Sequence, residues 1–410
     1  MKIAVLTSEY ITEVNWHGGL ANYLSRIVEG LIKKGHEVHI FVYSNVQEIE
    51  RKENGLVIHR IAFSEKRLWL FNIATLRLFP GFALIVYIVY KFRRYFLGIN
   101  KKEKFDIIHS SSCQAPALFL NSRRIGLPIV TRFSSVMKLC QVAYNRKNKI
   151  DMFLINWAEK TLAKRSDKVF APSFLVKNKI KEEFGIDIDV IESPEYFREI
   201  KELDCSIYDK YFKGKKYVLF YGTLGRLKGS EFIAEIIYDF LATYQDYYFV
   251  IIGKMEILQK RRLPIEPILE NAQEHRQRII YLNSLVHSRL LPIINSARAV
   301  FLPSMIDNLP NTCIEAMSQG KIVVGTYDGG FDQLIADGEN GFLVNYGDCD
   351  RLHEIFNKIC RGNKDDLARI EERAKETIKK KLNFEKKITE LEGCYQQAID
   401  SYKQKYGQKK

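Results

Sequence analysis

The sequence predicts an α/β protein built from two doubly wound parallel-sheet domains, and three observations carry that prediction. The chain has 410 residues, too many for one ordinary α/β core and suited to two domains of roughly 150 to 200 residues each. Short β-branched runs alternate with segments of helical period, the rhythm of a parallel sheet covered by helices on both faces. That rhythm occurs twice, separated by a polar, charged stretch from Arg198 to Lys216 that lacks a strong period.

In the first half the strand candidates are KIAVLT, EVHIFVYS, LVIHRIAF, DIIHSSS, PIVTRF, KVFAPS and DVIES, with amphipathic segments between most of them. In the second half they are YVLFYGTL, YYFVIIG, IIYLNSL, AVFLPS, KIVVGT and GFLV, separated by helical segments such as SEFIAEIIYDFLATY. No strand candidate follows Asp350, and Asp365 to Tyr406 reads as charged helix with a break near Asn383. These readings divide the chain into a first domain over 1–197, a linker over 198–216, a second domain over 217–375 and a helical segment with a basic tail over 376–410. The last segment is expected to pack back on the first domain.

Lysine and arginine number 63 against 49 aspartates and glutamates, a balance that favours anionic partners. The basic residues are dispersed and no base-reading motif appears, so nucleic acid is not expected. Cys113, Cys140, Cys205, Cys313, Cys349, Cys360 and Cys394 are scattered and never form C-x-x-C. Neither a disulfide framework nor a zinc site is indicated, and a reducing cytosol fits. MKIAVLTSEY reads as a first strand rather than a signal peptide. The most apolar stretch, Leu68 to Leu97, is interrupted by Arg77, Pro80 and Gly81, and its unbroken part from Phe82 to Tyr90 is too short to span a bilayer.

Ligands of doubly wound sheets bind at the carboxyl ends of strands, so the informative residues should follow strands. After AVFLPS a loop carries Asp307 and Asn308, and a helix begins near Pro310 with Glu315 in its first turns. Free amides at a helix start suit an anion or polar hydroxyls, and carboxylates suit bidentate acceptance from vicinal hydroxyls. After YVLFYGTL the segment YGTLGRLKG carries Arg226, Lys228 and Gly229; an ammonium there can neutralise a diphosphate. The G-K-S/T order of a Walker A loop is absent, so ATP hydrolysis is not indicated. Gly18 and Gly19 follow the first strand and let backbone amides approach a ligand closely.

The block from Pro303 to Gly330 resembles the second domain of the family 4 retaining glycosyltransferases. Its Pro303, Ser304, Glu315, Ala316, Met317, Gly320, Val323, Val324, Gly329 and Gly330 fit that family's pattern, with Asp307 for a more frequent glutamate and Ile322 for a usual proline. YGTLGRLKG is similar to the family's G-R-L-x-x-x-K-G segment, with Thr223 at the arginine position and Arg226 three residues later. KFDIIHSSS resembles the D-x-x-H-x-H strand end, with His109 at the first histidine and Ser111 at the second. Phe133 stands where many members have histidine, between Arg132 and Ser134, while Glu159 and Ser173 match scaffold positions.

The resemblance implies the GT-B architecture, two Rossmann-like domains facing a cleft. It implies transfer of a sugar from a UDP- or GDP-linked donor with retained anomeric configuration and without a metal or other cofactor. Lys228, Asp307 and Glu315 would carry the catalytic role, with Gly18, Gly19, Arg226, Ser304, Asn308, Leu309, Pro310, Asn311 and Thr312 completing the donor site. His109, Ser111 and Arg132 are the acceptor-side candidates. Asp187-Ile188-Asp189 matches a metal-binding D-x-D on paper, but it precedes a strand and reads as a turn.

Trp69 to Lys104 joins LWLFNIATL and FALIVYIVY to Lys91, Arg93, Arg94, Lys101, Lys102 and Lys104. It reads equally as a core helix with a basic end or as a segment lying on an anionic membrane surface. The expected setting is cytoplasmic, peripheral on the inner face of the cell membrane, with a glycan or lipid-linked acceptor in cell-surface polysaccharide or glycolipid synthesis. Two rival readings stay open at this stage: a sugar-nucleotide epimerase or hydrolase, and a noncatalytic scaffold or membrane-binding module.

Overall fold

The structure is a computed structural model that describes residues 1–13, 19–62, 69, 78–139, 148–195, 202–256 and 263–407. It divides into two compact units, Met1–Pro194 with Phe384–Lys410, and Glu195–Asn383.

The first unit runs β1 (Lys2–Thr7), α1 (Gly19–Lys33), β2 (Glu37–Ser44), β3 (Glu48–Arg51), β4 (Leu56–Ala62), α2 (Pro80–Glu103), β5 (Ile107–Ser111), α3 (Ser122–Ile125), β6 (Ile129–Arg132), α4 (Lys149–Arg165), β7 (Lys168–Ala171), α5 (Phe174–Phe184) and β8 (Asp189–Val190). Its sheet has the order β3-β4-β2-β1-β5-β6-β7-β8. Every pairing is parallel except β3 with β4. The central strands are covered on both faces, which is why they read as unbroken apolar runs. β3, of sequence EIER, has no apolar signal because it is a charged, exposed edge. The predicted DVIES strand shrinks to the two residues of β8 at the other edge.

α2 starts with Pro80 in its first turn, where proline's missing N–H leaves no bond unmade. Its buried face (Ala83, Ile85, Ile88, Val89, Phe92, Phe96) packs with Leu6, Phe41, Ile108 and Leu162. The FALIVYIVY segment is therefore a core helix. Of LWLFNIATL only Trp69 falls among the described residues, and it is exposed.

The second unit runs α6 (Ser206–Tyr211), β9 (Lys216–Tyr221), a 3-10 turn (Arg226–Lys228), α7 (Ser230–Thr243), β10 (Tyr247–Ile252), α8 (Ile265–Asn271), β11 (Ile279–Leu282), α9 (His287–Ser296), β12 (Ala299–Leu302), α10 (Asn311–Ser318), β13 (Val323–Thr326), β14 (Phe342–Val344), α11 (Cys349–Arg361) and α12 (Lys364–Lys381). Its six parallel strands lie in the order β11-β10-β9-β12-β13-β14, the dinucleotide-fold order with the switch point between β9 and β12.

The boundaries differ from the expected ones at two places. The described part of the predicted linker, from Glu202, belongs to the second unit, because Phe212 is buried against Tyr217 and Asp204 binds Arg289 at 2.6 Å. α12 also stays with the second unit as far as Asn383, since Ala374, Ile378 and Leu382 join its core. The return to the first unit is α13 (Phe384–Tyr406). There Lys387 bonds Glu192 at 2.8 Å, Glu392 meets the His36 ring at 2.8 Å, and Ile388 packs so closely on Gly30 that a Cβ there would lie 2.4 Å from it.

Candidate active site

The two motifs singled out in the second half follow β9 and β12, the neighbouring strands at the switch point. Glycine makes their turns meet. Gly229 has φ of 82°, and a Cβ on it would sit 1.9 Å from the Pro303 carbonyl oxygen. The Met305 amide donates to the Leu227 carbonyl at 2.9 Å, joining the turn after β9 to the loop after β12. Lys228 Nζ is thereby brought onto Asp307 Oδ2.

Asp307 is held by backbone on both sides. Its Oδ1 accepts from the Asn308 amide at 2.9 Å, and its own amide donates to the Gly329 carbonyl at 3.0 Å. Gly330, at φ of 81°, lies so close under the loop that a Cβ would come within 2.1 Å of the Asp307 carbonyl oxygen. Gly329 and Gly330 thus shape the loop. Ser304 is buried, its carbonyl taken by Thr326 Oγ1, so it is a strut of the same loop.

α10 begins after Pro310, and no side chain caps that end. The first helical bond runs from the Ile314 amide to the Pro310 carbonyl, which leaves the amides of Asn311, Thr312 and Cys313 ahead of it. Asn308 Oδ1 is buried and has no hydrogen-bond partner. Leu309 and Pro310 are buried behind it. A cation, a carboxylate, a buried unpaired amide oxygen and a bare helix start therefore converge at one loop. That set can hold a diphosphate and polar hydroxyls.

Glu315 stands on α10 with its Oε1 2.9 Å from His287 Nδ1 at the start of α9. The Tyr221 hydroxyl donates to the Thr312 carbonyl at 2.6 Å, and burial followed by the Glu315 charge pushes that phenol well above its ordinary pKa. Sequence reasoning missed His287 and Tyr221; both follow or end strands, the one signal that could have raised them. Arg226 is half-exposed, and its Nε lies 3.4 Å from the Glu231 carboxylate. Thr223, at the family's arginine position, is exposed.

In the first unit Gly18 lies outside the described residues, and Gly19 is the exposed first residue of α1. The acceptor-side candidates are buried: His109 and Ser111 are each 1% exposed and Arg132 is 4% exposed. His109 Nδ1 pairs with the Tyr395 hydroxyl of α13 at 2.7 Å, and burial, aided by the Arg132 charge, pulls the imidazole down to about 3. A histidine so held is neutral at physiological pH and is no proton carrier in this arrangement. The Arg132 guanidinium stacks 3.7 Å over the Tyr23 ring and donates to Ser134 and Ser193. Ser111 Oγ contacts the Cys113 carbonyl at 3.5 Å.

The scaffold positions behave as scaffold. Phe133 is fully buried, Ser173 caps α5 by accepting from the Val176 amide, and Glu159 accepts from the Met137 amide at 3.0 Å. Burial raises the Glu159 carboxyl to about 8. Asp187 and Asp189 of the D-x-D are exposed and pair with Lys177 at 3.5 Å and Lys168 at 2.6 Å. Among the described residues one cluster has metal-ligand spacing, Glu37, His39 and Glu103. Lys2 Nζ already fills it, 3.2 Å from Glu37 and 2.6 Å from Glu103.

Comparison with known proteins bears on the family and the fold. The family described as Glycosyl transferases group 1 matches residues 209–377, and Glycosyltransferase Family 4 matches residues 17–193. An uncharacterized glycosyltransferase of Methanocaldococcus jannaschii is 23% identical, with 98% of this chain and 99% of that protein covered. The alpha-monoglucosyldiacylglycerol synthase of Acholeplasma laidlawii is 21% identical over 84% of this chain and 85% of its own. Among solved structures, the sucrose-phosphate synthase of Thermosynechococcus elongatus superposes with a TM-score of 0.74 at 16% identity, covering 98% of this chain and all of that one. Anabaena HepE in complex with UDP-glucose superposes at 0.68 with 16% identity, covering 96% of this chain and 99% of that one. With two family matches that together span most of its length and the two-domain GT-B fold, the chain belongs to the family 4 glycosyltransferases.

Proposed function

We propose that the chain is a metal-independent retaining glycosyltransferase that moves a hexose from a UDP- or GDP-linked donor to a glycan or lipid-linked acceptor in the synthesis of a cell-surface polysaccharide or glycolipid. The observation that carries the reading is the meeting of Lys228, Asp307 and the uncapped start of α10 at the switch point. Lys228 and the free amides would take the diphosphate, supplying the positive charge that a cation supplies in other designs. Asp307 would then exchange its ammonium partner for hydroxyls of the donor sugar, and Glu315 would accept from the ribose hydroxyls.

Retention fits the absence of a titrating base among the first-unit candidates, since His109 is buried and held neutral. The departing phosphate then takes the proton of the incoming hydroxyl on the same face of the sugar, and the protein's contribution is positioning and charge stabilisation.

A site at the cytoplasmic face of a membrane is supported by α4. Ile150, Phe153 and Trp157, spaced to share a helix face, are 59%, 70% and 47% exposed, and Leu78 beside them is 53% exposed. Lys149 adjoins them. Such a face suits an anionic bilayer surface. No helix among the described residues is long and apolar enough to cross a membrane. The Acholeplasma relative is named for a glycolipid product, monoglucosyldiacylglycerol, which points the same way.

The test is binding and turnover on a panel of UDP- and GDP-sugars, with and without membrane extract, for the wild type, Lys228→Ala and Glu315→Ala. One donor bound, with retained configuration in the product and turnover lost in both variants without added metal, is the expected result. Failure of every donor to bind would sink the reading in favour of a noncatalytic scaffold.

A further inference from the structure

A second cluster of cations occurs at the other end of the second unit's sheet. A pocket of about 400 Å³ opens where β9, β10, β12 and β13 begin, lined by Lys215, Lys216, Arg298, Lys321, Arg361 and Lys364 with a single acid, Glu371. The strands are parallel, and Lys228 and Asp307 follow their carboxyl ends. The pocket is therefore separated from the candidate active site by the length of a six-residue strand, roughly 20 Å.

Four of these cations are held by contacts that leave their charge unneutralised. Lys321 Nζ donates to the Asn295 carbonyl at 2.9 Å, and Arg298 Nε donates to the Ile359 carbonyl at 2.8 Å. Arg361 donates to the Thr243 carbonyl at 3.1 Å and lies over the Tyr244 ring, while Lys215 lies over the Tyr248 ring. Among the described residues, Lys216 alone of the six reaches ion-pair distance of a carboxylate, that of Asp246 at 2.6 Å. Lys321 sits deep enough that burial lowers its pKa despite the attraction of Glu371. A concave site lined by one sign of charge concentrates ions of the other sign. Its volume falls within the range of small-ligand pockets.

We propose that this pocket is a second anion site that binds a ligand carrying clustered phosphates, either a free phosphorylated metabolite or a phospholipid headgroup. Arginine forks and lysine ammoniums are the groups that recognise phosphate oxygens. Two phosphates would bridge the half-buried Lys321 and Arg298 to the exposed Arg361 and Lys364. The site is distinct from the donor crevice in position and in residues, and its existence does not depend on the transfer reaction proposed above.

The experiment is hydrogen exchange of the full chain with and without inorganic pyrophosphate at low ionic strength, where charge recognition is least screened. Protection is expected in peptides covering 295–298 and 360–364, and it should persist in Lys228→Ala, which disables the donor crevice. Arg361→Glu with Lys364→Glu, both at exposed positions, should weaken that protection by about tenfold or more, the worth of one charge-assisted hydrogen bond, with urea unfolding of the variant run beside it to check the fold. Lys321→Gln, at a half-buried position, should do the same. A second arm replaces pyrophosphate with vesicles containing phosphatidic acid: protection by vesicles alone assigns the site to a headgroup, protection by pyrophosphate alone to a free metabolite. No protection at these peptides by either probe, or protection unchanged in the double variant, overturns the proposal.

Discussion

Lys228 and Asp307, 79 positions apart, close an ion pair across the switch point of the second unit's sheet. Their side chains keep 36% and 19% of their accessible surface, so a ligand can still reach both. The pair is expected to matter for turnover and little for folding. Lys228→Ala should lower kcat/KM for the donor about 100- to 1,000-fold, the loss of one strong electrostatic stabiliser. Its unfolding free energy should change by less than about 1 kcal/mol, as for a partly exposed ion pair. Steady-state kinetics beside urea unfolding measures both, and a variant that unfolds easily while keeping its turnover would contradict the assignment.

Glu315 and His287 make a second pair, 2.9 Å apart, and the carboxylate is the group proposed to meet ligand hydroxyls. Glu315→Gln should raise the donor KM about 10- to 100-fold by removing a charged acceptor. His287 is a positioning residue, 54% exposed, that orients Glu315. His287→Ala should raise KM by about tenfold or less with kcat unchanged, the size expected of one partly exposed contact. His287→Asn, which can still donate to the carboxylate, should recover most of the loss. An equal fall in kcat would place His287 in the chemistry instead.

The strands and both site loops are legible in the sequence because buried parallel strands are apolar throughout and glycines mark the turns that follow them. Gly229 and Gly330 could be read as special positions, and they are, since no Cβ fits at either. What joins Lys228 to Asp307 was not legible: each was assigned a separate ligand, and their contact depends on β9 and β12 being neighbours, a fact of strand order. Arg226 looked suited to a phosphate from its place in YGTLGRLKG, yet it turns to Glu231, five residues on. His109 carries a family position, but its partner Tyr395 is 286 positions away on α13, and no local pattern announces that contact. β3 was missed because a charged edge strand offers no alternation to read.

Lys387 of α13 is a stability residue rather than a site residue. Its ammonium bonds Glu192 at 2.8 Å with both side chains at 10% exposure or less, and it also reaches Glu390 at 2.7 Å. Lys387→Met takes the ammonium away from a buried carboxylate and should destabilise the first unit by about 3–5 kcal/mol. Adding Glu192→Leu should recover much of that loss, because the pair is replaced by apolar contact. Urea unfolding followed by limited proteolysis of the α13 peptide reads both effects. A single variant as stable as the wild type would mean that α13 is held by its apolar face alone.

The burial of His109 fixes the sign of a pH effect. Its imidazole is held at about 3 in the folded chain, against an ordinary value of 6.5, chiefly by burial and then by the Arg132 charge. The unfolded chain therefore binds a proton below about pH 6.5 that the folded chain refuses until about pH 3. The neutral histidine's contribution is fully present above pH 6.5 and is lost as pH falls towards 3, by at most about 1.4 kcal/mol for each pH unit. His59, also buried and held at about 3, adds a slope of the same sign. His109→Gln removes the titrating ring while keeping a polar partner for Tyr395, so its stability should fall less steeply than the wild type's between those pH values. Urea midpoints for the two chains, taken at half-unit steps through this window, give the difference directly. Parallel curves would show that His109 protonates in the folded chain as readily as in water, and that Tyr395 does not seal it.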